Sequence, residues 1–148
     1  MPVEIEQFIC RSDNFGVLVH DPSSGQTAII DAPEEAAILA ALKRTGWTPT
    51  MILTTHHHLD HVEANLALKE RFKLKIVGPE AEKARIPGID QPVRQGSVVQ
   101  LGGERIEVIE TPGHTATSPT TCRPRRWLSP PTHCSRSAAA GCSNASLR

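Results

Sequence analysis

Apolar residues over the first 115 positions come in short runs separated by turn formers, and the runs alternate between strand-like and helix-like spacing. Glu4 to Ile9 alternates loosely and predicts a strand. Phe15 to His20 and Thr27 to Ile30 are short β-branched runs joined by Asp21-Pro22-Ser23-Ser24-Gly25. That joint is a cluster of turn formers, so a hairpin is expected. Glu34 to Arg44 is rich in Ala and Leu and predicts a helix. Asp31 is placed to cap it, Pro33, Glu34 and Glu35 suit its positive end, and Gly46 suits its stop. Met51 to Leu53 is a short apolar strand that runs into the polar cluster Thr54 to His61. Val62 to Phe72 predicts a second helix, apolar at Val62, Leu66 and Phe72 with charges between. Leu74 to Val77 is a further strand, and Ser97 to Leu101 with Arg105 to Ile109 predicts a hairpin around Gly102-Gly103. Strand-helix-strand order with hairpins predicts a mixed α/β domain over residues 1–115.

From Ala116 onward neither period is sustained, and Pro119, Pro124 and the pair Pro130-Pro131 break any helix. Composition there predicts a disordered tail over residues 116–148. Charge divides at the same place. Residues 1–115 hold 11 Lys+Arg and all 16 Asp+Glu, a balance of −5, while residues 116–148 hold five Arg and no acid, a balance of +5. The arginines are scattered and lack interleaved aromatic residues, so no nucleic-acid partner is expected. No stretch has the apolar length to span a bilayer. The first ten residues carry Glu4 and Glu6 and lack a basic start before an apolar run, so no secretory leader is read and a cytoplasmic location is the default. Cys122, Cys134 and Cys142 form no C-x-x-C pair and are expected as free thiols.

Four of the seven histidines fall in six positions, as His56, His57, His58 and His61, with Asp60 among them. Imidazole nitrogen and carboxylate oxygen are zinc ligands that leave a position open for water. After a strand, alternate residues point the same way, so His56 and His58 can face one ion and His57 is a spacer. Asp60 and His61 come a turn later and can face a second ion. His20 and His133 stand alone and read as ordinary structural histidines. Thr111-Pro112-Gly113-His114-Thr115 follows a strand, and its Pro-Gly turn can aim His114 into a cleft, completing a three-histidine site with His56 and His58.

The H-x-H-x-D-H run from His56 to His61, followed two strands later by Thr111-Pro112-Gly113-His114-Thr115, resembles the metallo-β-lactamase superfamily. Ile5-Glu6-Gln7-Phe8, Arg11-Ser12-Asp13-Asn14-Phe15-Gly16 and Thr54-Thr55-His56-His57-His58 resemble the hydroxyacylglutathione hydrolases (glyoxalase II) in particular. The resemblance covers residues 1–115, about three quarters of the chain. It implies an αββα sandwich with a two-metal site along one edge of the sheets. His56, His58 and His114 would hold the first Zn²⁺, and Asp60 and His61 the second. The implied reaction is hydrolysis of the glutathione thioester S-D-lactoylglutathione by metal-generated hydroxide, with Asp60 as the catalytic residue that holds the hydroxide in line. The alternatives are an iron persulfide dioxygenase with similar histidines, and an inactive metal-binding fragment.

Two departures from the family pattern stand out. After His61 the family usually shows two glycines, whereas here Val62 is followed by Glu63 and Ala64. After Thr115 the family continues with Gly-His, an aspartate in an Asp-Thr-Leu-Phe run that bridges both metals, a further metal histidine and a glutathione-gripping helical region. None of these is legible. Joining the third base of each codon to the first two of the next permits the Gly-His and the Asp-Thr-Leu-Phe run, in family order. Ala116-Thr117 then permits His. Pro131-Thr132 permits Asp, Thr132-His133 permits Thr, His133-Cys134 forces Leu, and Cys134-Ser135 permits Phe. The expectation is a partial domain over 1–115, an out-of-frame tail over 116–148, and impaired activity.

Overall fold

The computed structural model describes residues 2–111 and the backbone of residues 120–124. The chain opens with three strands, β1 (Glu4–Cys10), β2 (Asn14–Asp21) and β3 (Gln26–Ile30), and helix α1 (Glu35–Thr45). Strand β4 (Pro49–Leu53), helices α2 (Leu59–Val62) and α3 (Asn65–Phe72), and strand β5 (Lys75–Pro79) follow. A 3₁₀ turn at Glu80–Glu82 leads to β6 (Gln91–Val93), β7 (Val98–Leu101), β8 (Glu104–Glu110) and β9 (Thr120–Pro124). The first six strands form one sheet in chain order, and the last three form a second sheet. β1, β2 and β3 pair antiparallel, and β3 through β6 pair parallel. Helix α1 forms the β3–β4 crossover and α2 with α3 the β4–β5 crossover, while the β5–β6 crossover holds only the 3₁₀ turn.

Alternation along the strands sorts side chains between two cores. Leu18, Ile29, Ile52 and Ile76 face the helices and pack with Ile38, Ala41 and Leu42 of α1 and Leu68 of α3. Their chain neighbours Val19, Ala28, Leu53 and Val77 face the other way and meet Val99, Leu101, Ile106 and Val108 of the second sheet. A slip of one residue would exchange the two sets, so register and core specify each other. Fully burying one such side chain contributes about 1.5–3 kcal/mol. The described residues thus make helix, sheet and sheet layers in the order the sandwich requires.

The sheets are also pinned at one end through Asp21. Its Oδ1 accepts the Ser23 N–H at 2.9 Å, and its Oδ2 accepts the Ser24 hydroxyl at 2.7 Å and the Gly103 N–H at 2.9 Å. These donors hold the carboxyl well below its ordinary range, the serine hydroxyls contributing most. Gly102 has φ of 57° and approaches the Ser24 hydroxyl so closely that a Cβ would stand 1.9 Å from it. Only glycine brings the two turns together in this way.

Both expected hairpins and the first helix are present, with α1 ending at Gly46 in the left-handed region (φ 75°). Four details differ from the sequence reading. Glu34 occupies the cap position of α1, without a side-chain cap bond, while Asp31 has φ of 58° and serves elsewhere. The expected helix over Val62 to Phe72 is two helices, α2 and α3, broken at Glu63-Ala64. The break arises because Ala32 N–H donates to the His61 carbonyl at 2.7 Å and Ala64 N–H donates to Ala32 at 2.9 Å, taking bonds a continuous helix would use. Strand β6, three residues with Pro92 at its centre, had no readable period. Within the stretch expected to lack elements, Thr120–Pro124 pairs antiparallel with β8. There the open edge of β8 supplies a template that local sequence does not.

Candidate metal centre

The polar cluster leaves the sheet at the end of β4 and is held by its two neighbour strands. Asp31 N–H donates to Leu53 O at 3.0 Å, and Thr54 N–H donates to Val77 O at 2.8 Å. The next donors turn to side chains. Thr55 N–H donates to Asp31 Oδ1 at 2.7 Å, and His57 N–H donates to Glu82 Oε2 at 2.6 Å. Asp31 ends β3 and Glu82 follows β5, the two strands that flank β4.

Asp31 also fixes the protons on two imidazoles. It is buried, and its ionised oxygens only accept. The Thr55 hydroxyl donates to Asp31 Oδ2 at 2.8 Å, so its oxygen is left to accept from His56 Nδ1, also 2.8 Å away. His61 Nδ1 donates to the same Oδ2 at 2.8 Å. Both rings then carry hydrogen on Nδ1, which leaves Nε2 as the nitrogen a metal would take. Burial opposes charge on His61, but the hydrogen bond and charge of Asp31 and the charge of Asp60 leave its pKa raised.

The Nε2 nitrogens point toward further donors. His56 is fully buried, and its Nε2 lies 3.1 Å from His58 Nδ1. Two nitrogens about 2.0–2.1 Å from one tetrahedral zinc stand about 3.3 Å apart, close to this separation. His61 Nε2 lies 3.4 Å from Asp60 Oδ2, whose side chain is exposed. The ring centroids of His56 and His61 are 4.1 Å apart, so the two donor pairs adjoin. Asp60 is steadied by its backbone: the Asn14 side-chain amide donates to its carbonyl at 2.8 Å.

Of the residues singled out in sequence, His56, His58, Asp60 and His61 come together. His57 turns to Glu82, while His20 stacks on Trp47 with centroids 4.5 Å apart. His114 and His133 lie outside the described residues. Among the described residues no three His, Cys, Asp or Glu side chains surround one point. Each ion of the expected pair has only two of its ligands there. The donor chemistry and tautomers nonetheless fit a divalent metal. Sequence reading missed Asn14, Asp31 and Glu82. Asp31 carries a local signal, an acid directly after a strand, but that signal fits a helix cap equally well.

A profile of the Metallo-beta-lactamase superfamily matches residues 9–126. With this topology and histidine loop, the chain belongs to the metallo-β-lactamase superfamily. It is 86% identical over 116 residues to the hydroxyacylglutathione hydrolase of Mesorhizobium japonicum, a match spanning 78% of this chain and 46% of that protein. It is 66% identical over 116 residues to the enzyme of the same name from Chelativorans sp., again over 78% and 46%. The chain therefore spans about half the length of the curated relatives it matches. Among solved structures, ETHE1 from Myxococcus xanthus is similar with a TM-score of 0.72 and 28% identity, covering 82% of this chain and 53% of that one. A metallo-beta-lactamase from Staphylococcus aureus gives 0.70 at 19% identity, over 82% and 38%, a likeness of fold alone.

Proposed function

We propose that this chain carries the first part of a zinc-dependent thioester hydrolase of the hydroxyacylglutathione hydrolase type. The observation that carries the reading is the facing pair His56 Nε2 and His58 Nδ1, with the other nitrogen of His56 held by Thr55 and that of His61 held by Asp31. In this reading His56, His58 and His114 hold one Zn²⁺, and Asp60 and His61 hold the other. When bound, such ions lower the pKa of a coordinated water and polarise a substrate carbonyl. The protein's own share is orientation. Asp31 keeps both Nε2 lone pairs available, and the exposed Asp60 carboxylate can accept a hydrogen bond from the attacking water and align it on the thioester carbon. The substrate proposed is S-D-lactoylglutathione, giving D-lactate and glutathione, in a reducing cytoplasm. The names of the 86% and 66% identical relatives support that substrate class.

We further propose that residues 116–148 are read out of frame, since the genetic code permits the family's Gly-His and Asp-Thr-Leu-Phe in the shifted frame. The chain as written then lacks the bridging aspartate and hydrolyses the thioester poorly, while retaining weak zinc binding. The test has two parts. Resequencing the gene across the codons for residues 114–117 should show the shift. Hydrolysis of S-D-lactoylglutathione by the 148-residue chain, with bound zinc counted, should be far below that of the Mesorhizobium relative; a comparable rate overturns the impaired reading. The 28% identity to ETHE1 keeps a second reading, a mononuclear iron persulfide dioxygenase. It predicts one iron and no thioesterase activity after restoration of the frame.

A further inference from the structure

We propose that Glu82 is a positioning residue for the histidine loop, holding the peptide between His56 and His58 so that their nitrogens converge. The inference rests on the metal-binding reading above. Glu82 lies in the 3₁₀ turn after β5, in a run of charges, yet its side chain is fully buried. Burying a carboxylate costs several kcal/mol unless it is well bonded, so its place needs a reason. Its Oε2 accepts the His57 N–H at 2.6 Å, a short charge-assisted bond. His57 Nδ1 stands 2.9 Å from the same oxygen, at ion-pair distance but not aligned as a hydrogen bond.

The position of this bond in the chain gives it a function. Thr54 N–H still donates to Val77 O of β5, but beyond it the N–H groups of Thr55 and His57 meet side chains in place of a strand. Thr55 N–H is taken from one side by Asp31, and His57 N–H is taken from the other side by Glu82. The two acids replace the ladder bonds that the flanking strands no longer supply. The His57 amide belongs to the first of the two peptide links between the residues that bear the facing nitrogens. Rotation there would swing His58 Nδ1 off its 3.1 Å approach to His56 Nε2. Asp31 therefore sets which nitrogen a metal would take, and Glu82 sets where the second nitrogen lies.

The test compares the full chain with Glu82→Gln, which keeps an oxygen for the amide, and Glu82→Ala, which does not. Two readouts are taken. Amide hydrogen exchange on metal-free protein should show His57 losing protection about a hundredfold or more in Glu82→Ala, with Ile52 and Ile76 unchanged, and partial rescue in Glu82→Gln. Zinc affinity by chelator competition should fall about 10–100-fold in Glu82→Ala, the scale seen for groups that orient ligands, and less in Glu82→Gln. His57→Ala keeps the amide and should stay near the parent in both. Uniform loss of protection across β4 and β5, or unchanged zinc affinity in a folded Glu82→Ala, overturns the proposal. If Glu82→Ala does not fold, the exchange rate at His57 in Glu82→Gln decides: a rate equal to the parent's supports amide capture by an acceptor oxygen, and a rate matching unprotected loop amides refutes it. If the parent chain binds no zinc, the metal reading fails, and the exchange data alone decide the role of Glu82.

Discussion

Replacing Asp31 should change the proton position on two histidines, and the structure gives the size of the effect. Asp31 accepts three hydrogen bonds, from Thr55 N–H, the Thr55 hydroxyl and His61 Nδ1, at 2.7 to 2.8 Å. Asp31→Asn keeps the shape and tolerates φ of 58°, because Asn visits the left-handed region readily. It keeps one oxygen for the Thr55 amide and turns a donor toward Thr55 Oγ1 and His61 Nδ1. To avoid donor facing donor, the His61 proton moves to Nε2, and the reversed Thr55 hydroxyl gives its hydrogen to His56 Nδ1. Both Nε2 lone pairs are then lost to the metal. Losing charge-assisted bonds to a buried group should cost about 2–4 kcal/mol of stability. Zinc affinity should fall at least about 10–100-fold. Asp31→Ala leaves all three donors without an acceptor and lacks the short polar side chain that lets Asp or Asn sit at φ of 58°, so it should be less stable than Asp31→Asn. Long-range ¹⁵N spectra of the histidine rings report the tautomers directly, and chelator competition reports the affinity. If His56 and His61 keep hydrogen on Nδ1 in a folded Asp31→Asn protein, the tautomer argument is wrong.

Three further outcomes can be measured on the same chain. Asp21 has a depressed folded pKa, so its contribution is present above its ordinary 3.8 and is lost as pH falls below that value, when the unfolded chain takes the proton first. Urea midpoints of the parent should therefore drop between pH 5 and pH 3 more steeply than those of Asp21→Asn, and parallel curves would remove Asp21 as the clamp. Leu101 is fully buried between the sheets, and Leu101→Ala should cost about 2–5 kcal/mol by denaturant unfolding; a cost under about 1 kcal/mol would mean the second sheet does not share the core. Burial, with the Glu34 charge, pushes the Cys10 thiol from 9.0 up to about 11, so at pH 8 its thiolate fraction, and its alkylation rate by peptide mapping, should be about a hundredfold below that of an ordinary thiol of this chain.

What could be read from sequence was whatever neighbouring residues decide. The β2–β3 joint announced itself through Asp21-Pro22-Ser23-Ser24-Gly25, and α1 through its Ala-Leu run and Gly46. The histidine loop was legible because five ligand-type side chains crowd six positions. What escaped was decided by distant chain. Nothing in Glu63-Ala64 says that Ala32 will take the bonds between α2 and α3. Glu82 sits between Ala81 and Lys83, and such an acid normally faces water. Asp31 fits a helix start as well as it fits a buried hub, and only the parallel pairing of β3 with β4 brings it beside Thr55.

These misses share a cause that bears on the chemistry. The proposed ligands are clustered in sequence, but the groups that hold their loop come from three other places: Asn14 at the start of β2, Asp31 just after β3, and Glu82 beyond β5. Each acts on the loop by accepting from or donating to its peptide groups, and Asp31 acts on the rings as well. A short peptide with the same His56 to His61 segment would hold the ligand types without the tautomers or the spacing. On the proposed metal-binding reading, affinity therefore depends on the six-stranded sheet, and it should be lost with unfolding of that sheet rather than survive in the loop.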